Sequence, residues 1–515
     1  METINVIKSG VDAYISKVSR KLKKAVVTFT PWKTELMKCV EGKLDKCRIY
    51  DYNKVLANRV NKGDLDRLKE DFVFAPVDKA SNNIAIICKR YYIEVMSKEI
   101  QESNTFSPVF FDAPEVLDNL KNSNYITSED KQKLPLLYCT VKMHKTPIGF
   151  RHITAGVGTI LQNLSIAVGN SLKLLLRIAE KANDYKIKEI DRCILLVDNR
   201  EKVLRSLEIS NKSTNVINKR KSINTWDFST LYSNIPHGQL LINVNQFIDD
   251  IFRCIKDKKY VCSSTNSKRA YFSRSRHIGV KSFDKDQLKE AVKYIVDNSY
   301  ITYHNVVYRQ IIGIPMGTNC APHLANIYLH QYEYIYLKSM VEKGELQIAK
   351  DLGNMYRYQD DCIAINDNDT FGKYYQKIYP AVMVLNQTNV SRDKCTFLDL
   401  KISIYRGKFI YNSYDKRNDF KFPIVNYPDL RGNIPSSQSY GVYTSQLVRF
   451  VDINGTYRGF IKDVSKMTKS FIKKGFSMTA LKRKYLDFCK EYVYKWARYN
   501  VDISTSTYLH KLFTI

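Results

Sequence analysis

Three carboxylates stand out by where they sit. Asp227 closes the apolar run Ile223–Phe228 in INTWDFSTLYSNIP, and Asp360 and Asp361 lie side by side in YQDD, inside the alternating stretch MYRYQDDCIAIND. An uncompensated carboxylate at the end of a buried strand is costly. Taken singly, Asp227 reads as a strand-end or cap residue, and the Asp pair as a solvated turn. Taken together, one carboxylate on a strand end and two on a neighbouring hairpin make an oxygen-rich site suited to Mg²⁺. Two such ions roughly 3.5–4 Å apart can activate a 3′-hydroxyl and stabilise a leaving pyrophosphate. The chemistry implied is in-line nucleotidyl transfer.

The flanking residues fit the same chemistry. Tyr232 follows Asp227 by five positions. An aromatic ring there would lie under the sugar of an incoming nucleotide and clash with a 2′-hydroxyl; the plain alternative is a core tyrosine. Gly313 and Gly317 bracket Pro315 and Met316 ahead of a helical pattern, and glycines let backbone approach a ligand closely. The alternative is an ordinary loop-to-helix turn. Lys142, Lys145 and Arg151 flank one turn at Pro147–Gly149. Cations so placed hold a triphosphate or simply decorate a solvated turn.

The elements that must position these groups can be read from period and punctuation. Val73–Val77 and Ile84–Cys88 read as two strands around a turn at Ala80–Asn83. A second strand pair surrounds Pro147–Gly149, and residues 157–180 carry apolar residues at helical spacing. Ile223–Phe228 suits a buried strand, and Pro236 opens a helix. Asp284 is a candidate N-cap for a helix with Leu288, Val292 and Ile295 on one face. A hairpin is expected around His304–Asn305, a helix from about Ala321, a YQDD hairpin over 355–366, and two strands over 395–415 around Arg406–Gly407. The tail from about 430 reads as helical, with Leu481, Tyr485, Phe488, Cys489, Tyr492, Val493 and Trp496 on one face. The basic stretch between Ile251 and Arg276 reads as an insertion or flexible loop.

The bulk composition narrows the partners. The 515 residues hold 81 Lys+Arg against 52 Asp+Glu, a formal charge of +29, which favours a polyanion. At this length two to four subdomains are expected. No apolar run approaches a membrane span, and the first residues lack the apolar core of a signal peptide. No membrane partner is therefore expected, and the default is an intracellular protein. Eleven cysteines without a C-x-x-C pair read as reduced thiols.

DFSTLYSNIP, GIPMGTNCAPHLANIYL and YQDD, in this order, resemble motifs A, B and C of reverse transcriptases. The ordered set is specific where a lone Asp pair is not. TVKMHKTPIGFRHITAG resembles the K-x-H-K block of Penelope-like retroelement enzymes, relatives of telomerase; PVDKASNNIAII and TFLDLKI resemble two further segments of that family. The resemblance covers roughly residues 70–450. The chain departs from it at Ala80, in place of the glycine of D-K-G, and at His152, where the family often has proline; neither position touches a metal ligand. YGVYTS at 440–445 matches only the first half of a GIY-YIG endonuclease, and no second half follows.

The resemblance implies an α+β right-hand polymerase with a ferredoxin-like palm. Its parts would be a helical N-terminal extension (1–70), fingers (71–222), a palm (223–394) with a basic insertion at about 251–280, a primer-grip region (395–429) and a helical thumb (430–515). The extension would be either an RNA-binding element or a helical cap on the fingers. By similarity, Asp227, Asp360 and Asp361 would be catalytic and, with the carbonyl of Phe228, hold two Mg²⁺, or Mn²⁺ in their place. Tyr232 would gate the sugar, Lys142 and Arg151 would contact the triphosphate with Lys145 in a lesser role, and Met316 and Gly317 would line the nascent base pair. Phe397 and Leu398 would grip the primer, and Lys482, Arg483 and Lys484 would contact template–primer phosphates. The implied partners are an RNA template, a DNA or RNA primer and dNTPs. Rival readings are an RNA-dependent RNA polymerase and an inactive RNA-binding or maturase-like protein. Basic clusters at Lys219–Lys221 and Lys482–Lys484 suit nuclear import, phosphate contacts or plain exposed faces equally.

Overall fold

The computed structural model describes residues 2–22, 29–44, 62–212, 221–255, 257–264, 269–389, 391–432 and 434–513. Lys219, Arg220, Lys256, Lys268 and Cys47 lie outside them. The chain divides into two compact units, residues 1–72 and 73–515. The first holds helices Glu2–Leu22, Thr30–Leu44 and Lys62–Asp71. Its first two helices meet through Tyr14 and Trp32, whose ring centroids are 6.5 Å apart, and through an ion pair between Lys33 and Asp12.

The second unit is built around an antiparallel sheet of β6 (Ile223–Phe228), β12 (Met355–Tyr358), β13 (Asp361–Ile365) and β14 (Leu385–Gln387), in the order β12-β13-β6-β14. Ile223 to Trp226 are all buried, so β6 reads as a continuous core strand until Asp227 interrupts it. Helices Gln162–Lys181, His237–Arg253, Lys285–Asp297 and Ala321–Glu342 contribute buried faces to one large core with Trp226 and Phe228. The N-termini of these helices are encoded locally. Pro236 precedes the second of them. Asp284 caps the third in a reciprocal capping box with Gln287 (Gln287 N to Asp284 Oδ1, 2.9 Å), and Leu288, Val292 and Ile295 are buried as the spacing predicts.

A second sheet joins β1 (Phe72–Val77), β2 (Ala80–Cys88), β4 (Leu137–Lys142) and β5 (Gly149–Thr154) in the order β2-β1-β4-β5. The β1–β2 turn is Asp78–Lys79 and not Ala80–Asn83. Lys79 takes the left-handed backbone at φ +64° that a tight turn requires, which lets the strand resume at Ala80. Strands β3 (Phe106–Pro108), β10 (Tyr300–Tyr303) and β11 (Val306–Gln310) form a third sheet, with the expected turn at His304–Asn305.

Two further expectations are corrected. The basic stretch is not a loop throughout: β7 (Tyr260–Ser264) and β8 (Arg269–Ser273) pair within it, and β9 (Lys281–Phe283) completes their sheet. Val261 and Cys262 are buried there, so a short apolar run outweighs the charge around it. Residues 394–413 form three strands and not two: β15 (Lys394–Phe397), β16 (Leu400–Tyr405) and β17 (Lys408–Ser413). The extra turn is Leu398–Asp399, where Leu398 sits at φ +55°. This sheet shares a second core with helices Ser436–Ile453, Tyr457–Lys473 and Met478–Glu491. Leu481, Tyr485, Phe488 and Cys489 are buried in it, but Val493, beyond the helix, is 46% exposed.

Among the described residues no helix is long and apolar enough to cross a membrane. Every described cysteine is a free thiol; Cys39 and Cys88 are exposed, Cys254 is half-buried and the others are buried.

Candidate active site

Asp361 stands directly opposite Asp227 in the β13–β6 register. Cross-strand partners project to the same face of a sheet, and like charges so placed repel. Asp360 belongs to the two-residue turn that joins β12 to β13, and its carbonyl accepts a hydrogen bond from Phe228 N (3.0 Å). The end of β6 is thereby locked to the turn. Burial pushes the Asp361 carboxyl up to about 6, with Asp360 and Asp227 adding to the rise. Burial also raises Asp227, and Asp360 raises it further. Nothing in folding calls for this arrangement.

Cations from separate segments face the trio. Lys416, Lys145 and Lys79 act on Asp227, and Lys416 and Lys79 act on Asp361. Arg151 is opposite Thr140 in the β4–β5 register, and Lys142 is two residues beyond Thr140, so both side chains share a face. Lys142 is itself held below the usual lysine range, first by burial and then by Arg151, while Asp78 and Asp227 oppose the drop. Arg151 reaches Asp78 at 3.4 Å, and the second Asp78 oxygen is buried without a partner. Lys79 is lowered by burial and by Lys416.

Tyr232 lies in the short helix Leu231–Asn234, half-buried. Burial lifts its phenol to about 12, and Asp360 is the next cause, so the ring stands beside the acidic turn. The loop 313–317 clasps it. Ile314 N donates to the Tyr232 carbonyl (2.7 Å), and a Cβ on Gly313 would fall 2.5 Å from that same oxygen. At the other end Thr154 N donates to Met316 O (2.7 Å), and a Cβ on Gly317, at φ +131°, would sit 1.9 Å from the Thr154 carbonyl. Glycine at both positions is a steric requirement. The loop joins the segment after β6 to the end of β5, with Met316 half-buried and Gly317 exposed between them.

Behind the turn lies a buried ion pair. Arg357 and Glu333 are both 0% exposed at the side chain and meet at 2.5 Å. Arg357 also donates to Asn326 Oδ1 (3.0 Å), Asn326 O (3.2 Å) and the carbonyl of Gln359 (3.3 Å). Tyr379 donates to Glu333 at 2.7 Å. Burial alone would raise Glu333, yet Arg357 holds it below its ordinary value. Gln359 sits at φ +54°, so the guanidinium secures the carbonyl of the turn's most constrained residue.

No family model and no curated protein matches the chain. Among solved structures it is similar to a telomerase from Candida albicans in complex with a fragment of telomeric RNA, at 12% identity and TM-score 0.56, covering 87% of this chain and 72% of that one. An apo telomerase from Candida tropicalis gives 14% identity and TM-score 0.47 over 87% and 68%. The chain has a right-hand polymerase fold. The three carboxylates sit at one end of the sheet β12-β13-β6-β14, where β6 ends beside the β12–β13 turn.

The structure brings Asp227, Phe228, Asp360, Asp361, Tyr232, Lys142 and Arg151 to one place. Met316 and Gly317 adjoin it through the clasping loop. Phe397 is 3% exposed in the second core, so its ring is packing, and Leu398, on the turn at φ +55°, is half-buried against the same core. Lys482 and Arg483 are exposed on the helix Met478–Glu491, apart from the acids, with Lys484 half-buried. Sequence reasoning gave Lys79 no role, although DK was in view, and it missed Lys416 and the Arg357–Glu333 pair. Lys416 carries no local signal: only the fold brings it to Asp227. Arg357 was visible as a charge one residue before a strand end, where a solvated reading is the default.

Proposed function

We propose that this chain is an RNA-directed DNA polymerase of the Penelope-like, telomerase-related kind, extending a DNA or RNA primer on an RNA template. The observation that carries the reading is Asp227 opposite Asp361, two half-buried like charges in register at one end of the central sheet. Simple binding of a polyanion gains nothing from such a pair, which argues against a maturase-like binding protein. The half-buried Tyr232 beside Asp360 favours deoxynucleotides over ribonucleotides, which argues against an RNA-copying RNA polymerase.

The donor set fits a hard divalent cation: carboxylate oxygens whose mutual repulsion a cation would relieve. Among the described residues no group of three His, Cys, Asp or Glu side chains already stands in metal-holding geometry. Asp227, Asp360 and Asp361, with the Phe228 carbonyl, would hold Mg²⁺, which when bound lowers the barrier to attack by the 3′-hydroxyl and neutralises the leaving pyrophosphate. Lys142, Arg151 and Lys79 would receive the triphosphate as a charge-assisted clamp. Arg151 must then leave or share Asp78. Tyr232 would pack against the sugar and exclude a 2′-hydroxyl. Lys482, Arg483 and Lys484 would meet backbone phosphates of template–primer. Such contacts make affinity salt-dependent and indifferent to sequence.

Primer extension on an RNA template with Mg²⁺ tests the reading. Extension with dNTPs and not NTPs, lost in Asp360→Ala/Asp361→Ala, is the expected result. Extension that survives the double substitution would overturn it.

A further inference from the structure

Between β17 and the helix Tyr457–Lys473 the chain takes a long way round. A short 3₁₀ turn, Lys416–Asp419, follows the sheet, held by Asp415, whose carboxylate accepts from Arg417 N (3.0 Å) and Arg417 Nε (2.9 Å). The chain then runs over the β1–β2 hairpin. Phe420 packs with Val77 and Ala80, the residues on either side of the Asp78–Lys79 turn, and its ring lies 5.5 Å from His144. Asn83 clamps the segment from both sides: its Nδ2 donates to Pro423 O (3.1 Å) and its Oδ1 accepts from Val425 N (2.9 Å). Asn82 adds a bond to Val425 O (3.3 Å). The far end is tied to the helical region through Leu430 N to Lys474 O (3.0 Å) and Tyr427 against Phe471 (5.0 Å). Residues 414–430 are therefore a strap pinned at its middle to the tip of the hairpin that carries Lys79.

The strap places one side chain at the palm. Lys416 precedes Phe420 by four residues and is the cation acting most strongly on both Asp227 and Asp361. It forms no ion pair among the described residues, so it faces the acids without being consumed by any one of them. Lys79, brought by the pinned hairpin, feels Lys416 as the strongest charge near it. Two lysines in mutual repulsion beside a carboxylate trio are suited to a ligand more anionic than either group of acids alone.

We propose that Lys416 is a substrate-contacting residue, its ammonium taking the triphosphate tail of the incoming nucleotide together with Lys142 and Arg151, with the strap as its support. This rests on the polymerase reading above. The contact is non-covalent and needs no further reactant. Because Asn83 holds the strap, the hairpin and Lys416 move together, and loosening the pin weakens nucleotide binding without touching the nucleotide.

Steady-state extension at varied dNTP, with wild type, Lys416→Ala, Lys416→Arg and Asn83→Ala, tests this. A charge-assisted contact predicts a rise of about 10- to 100-fold in the dNTP KM for Lys416→Ala. Lys416→Arg should stay near wild type and Asn83→Ala should fall between, with template–primer Kd unchanged in all and Tm unchanged in the Lys416 variants. An unaltered dNTP KM in Lys416→Ala overturns the proposal, as does a matching loss of template–primer affinity, which would make Lys416 a nucleic-acid contact. Calorimetric binding of inorganic pyrophosphate keeps the two readings apart. If wild type extends no primer, weaker pyrophosphate binding by Lys416→Ala still supports the anion contact, and equal binding refutes it.

Discussion

The sheet β12-β13-β6-β14 carries two charged constellations within a few residues of each other, and they obey opposite rules. Arg357 and Glu333 are fully buried, opposite in sign, and satisfied by Asn326, Gln359 and Tyr379. Asp227 and Asp361 are like charges in register, raised by burial and by their neighbours. The first set holds the hairpin in shape; the second opposes folding and persists where the shape is imposed on it. The buried opposite charges are paired on the spot, whereas the like-charged acids form no ion pair among the described residues.

Substitutions can break this contrast. The largest effect should come from Asp360→Ala: extension should fall by at least about 10³-fold, while a filter or anisotropy assay finds template–primer affinity nearly unchanged. Next comes the structural pair. Arg357→Met strands a buried carboxylate and should destabilise the protein by about 3–5 kcal/mol in denaturant unfolding. Adding Glu333→Leu should recover most of that loss, because no charge then remains unpaired. Recovery of activity should lag behind, since Gln359 has lost its anchor.

Asp361→Asn should do the reverse of Arg357→Met. Its folded carboxyl, at about 6, lies above the ordinary value, so the folded form binds the extra proton and stability falls as pH rises from about 4 to about 6. The amide should raise metal-free stability at pH 7 by about 1–2 kcal/mol, discounted for partial exposure, with no gain below pH 4. A gain that persists at pH 3 would mean packing and not charge. A second pH effect concerns His330, buried against Tyr185 at 3.0 Å and lowered to about 4 by burial. The unfolded chain takes up a proton near 6.5 that the fold refuses. Stability should therefore fall as pH drops from about 6.5 to about 4, at up to about 1.4 kcal/mol per unit. His330→Gln should flatten that slope in a pH series of urea midpoints.

Much of the framework was legible because it was local. Asp284 announced its helix, Ile223–Phe228 its strand, and YQDD its hairpin, since capping, alternation and turn chemistry act over a handful of residues. The β1–β2 turn was misplaced because Lys79, a non-glycine at positive φ, gives no turn signal. The three-stranded 394–413 sheet was read as two strands because Leu398–Asp399 looks like the interior of an apolar run. Lys416 was beyond reach for a different reason: its position depends on Phe420 meeting Ala80 and Pro423 meeting Asn83, contacts spanning more than three hundred residues in sequence. The sequence could name the acids, but not all the cations that face them.

The thiols give the hairpin a built-in reporter. Cys88 ends β2, the strand that begins one residue after Lys79, and it is exposed, while the described cysteines of the larger unit are otherwise buried or half-buried. A maleimide dye would find Cys88 and Cys39 first among these, and Cys39→Ser with Cys47→Ser would leave the label on the hairpin. The native chain thus carries an optical handle on the strand that the strap pins, so nucleotide-driven motion there can be followed without adding a residue.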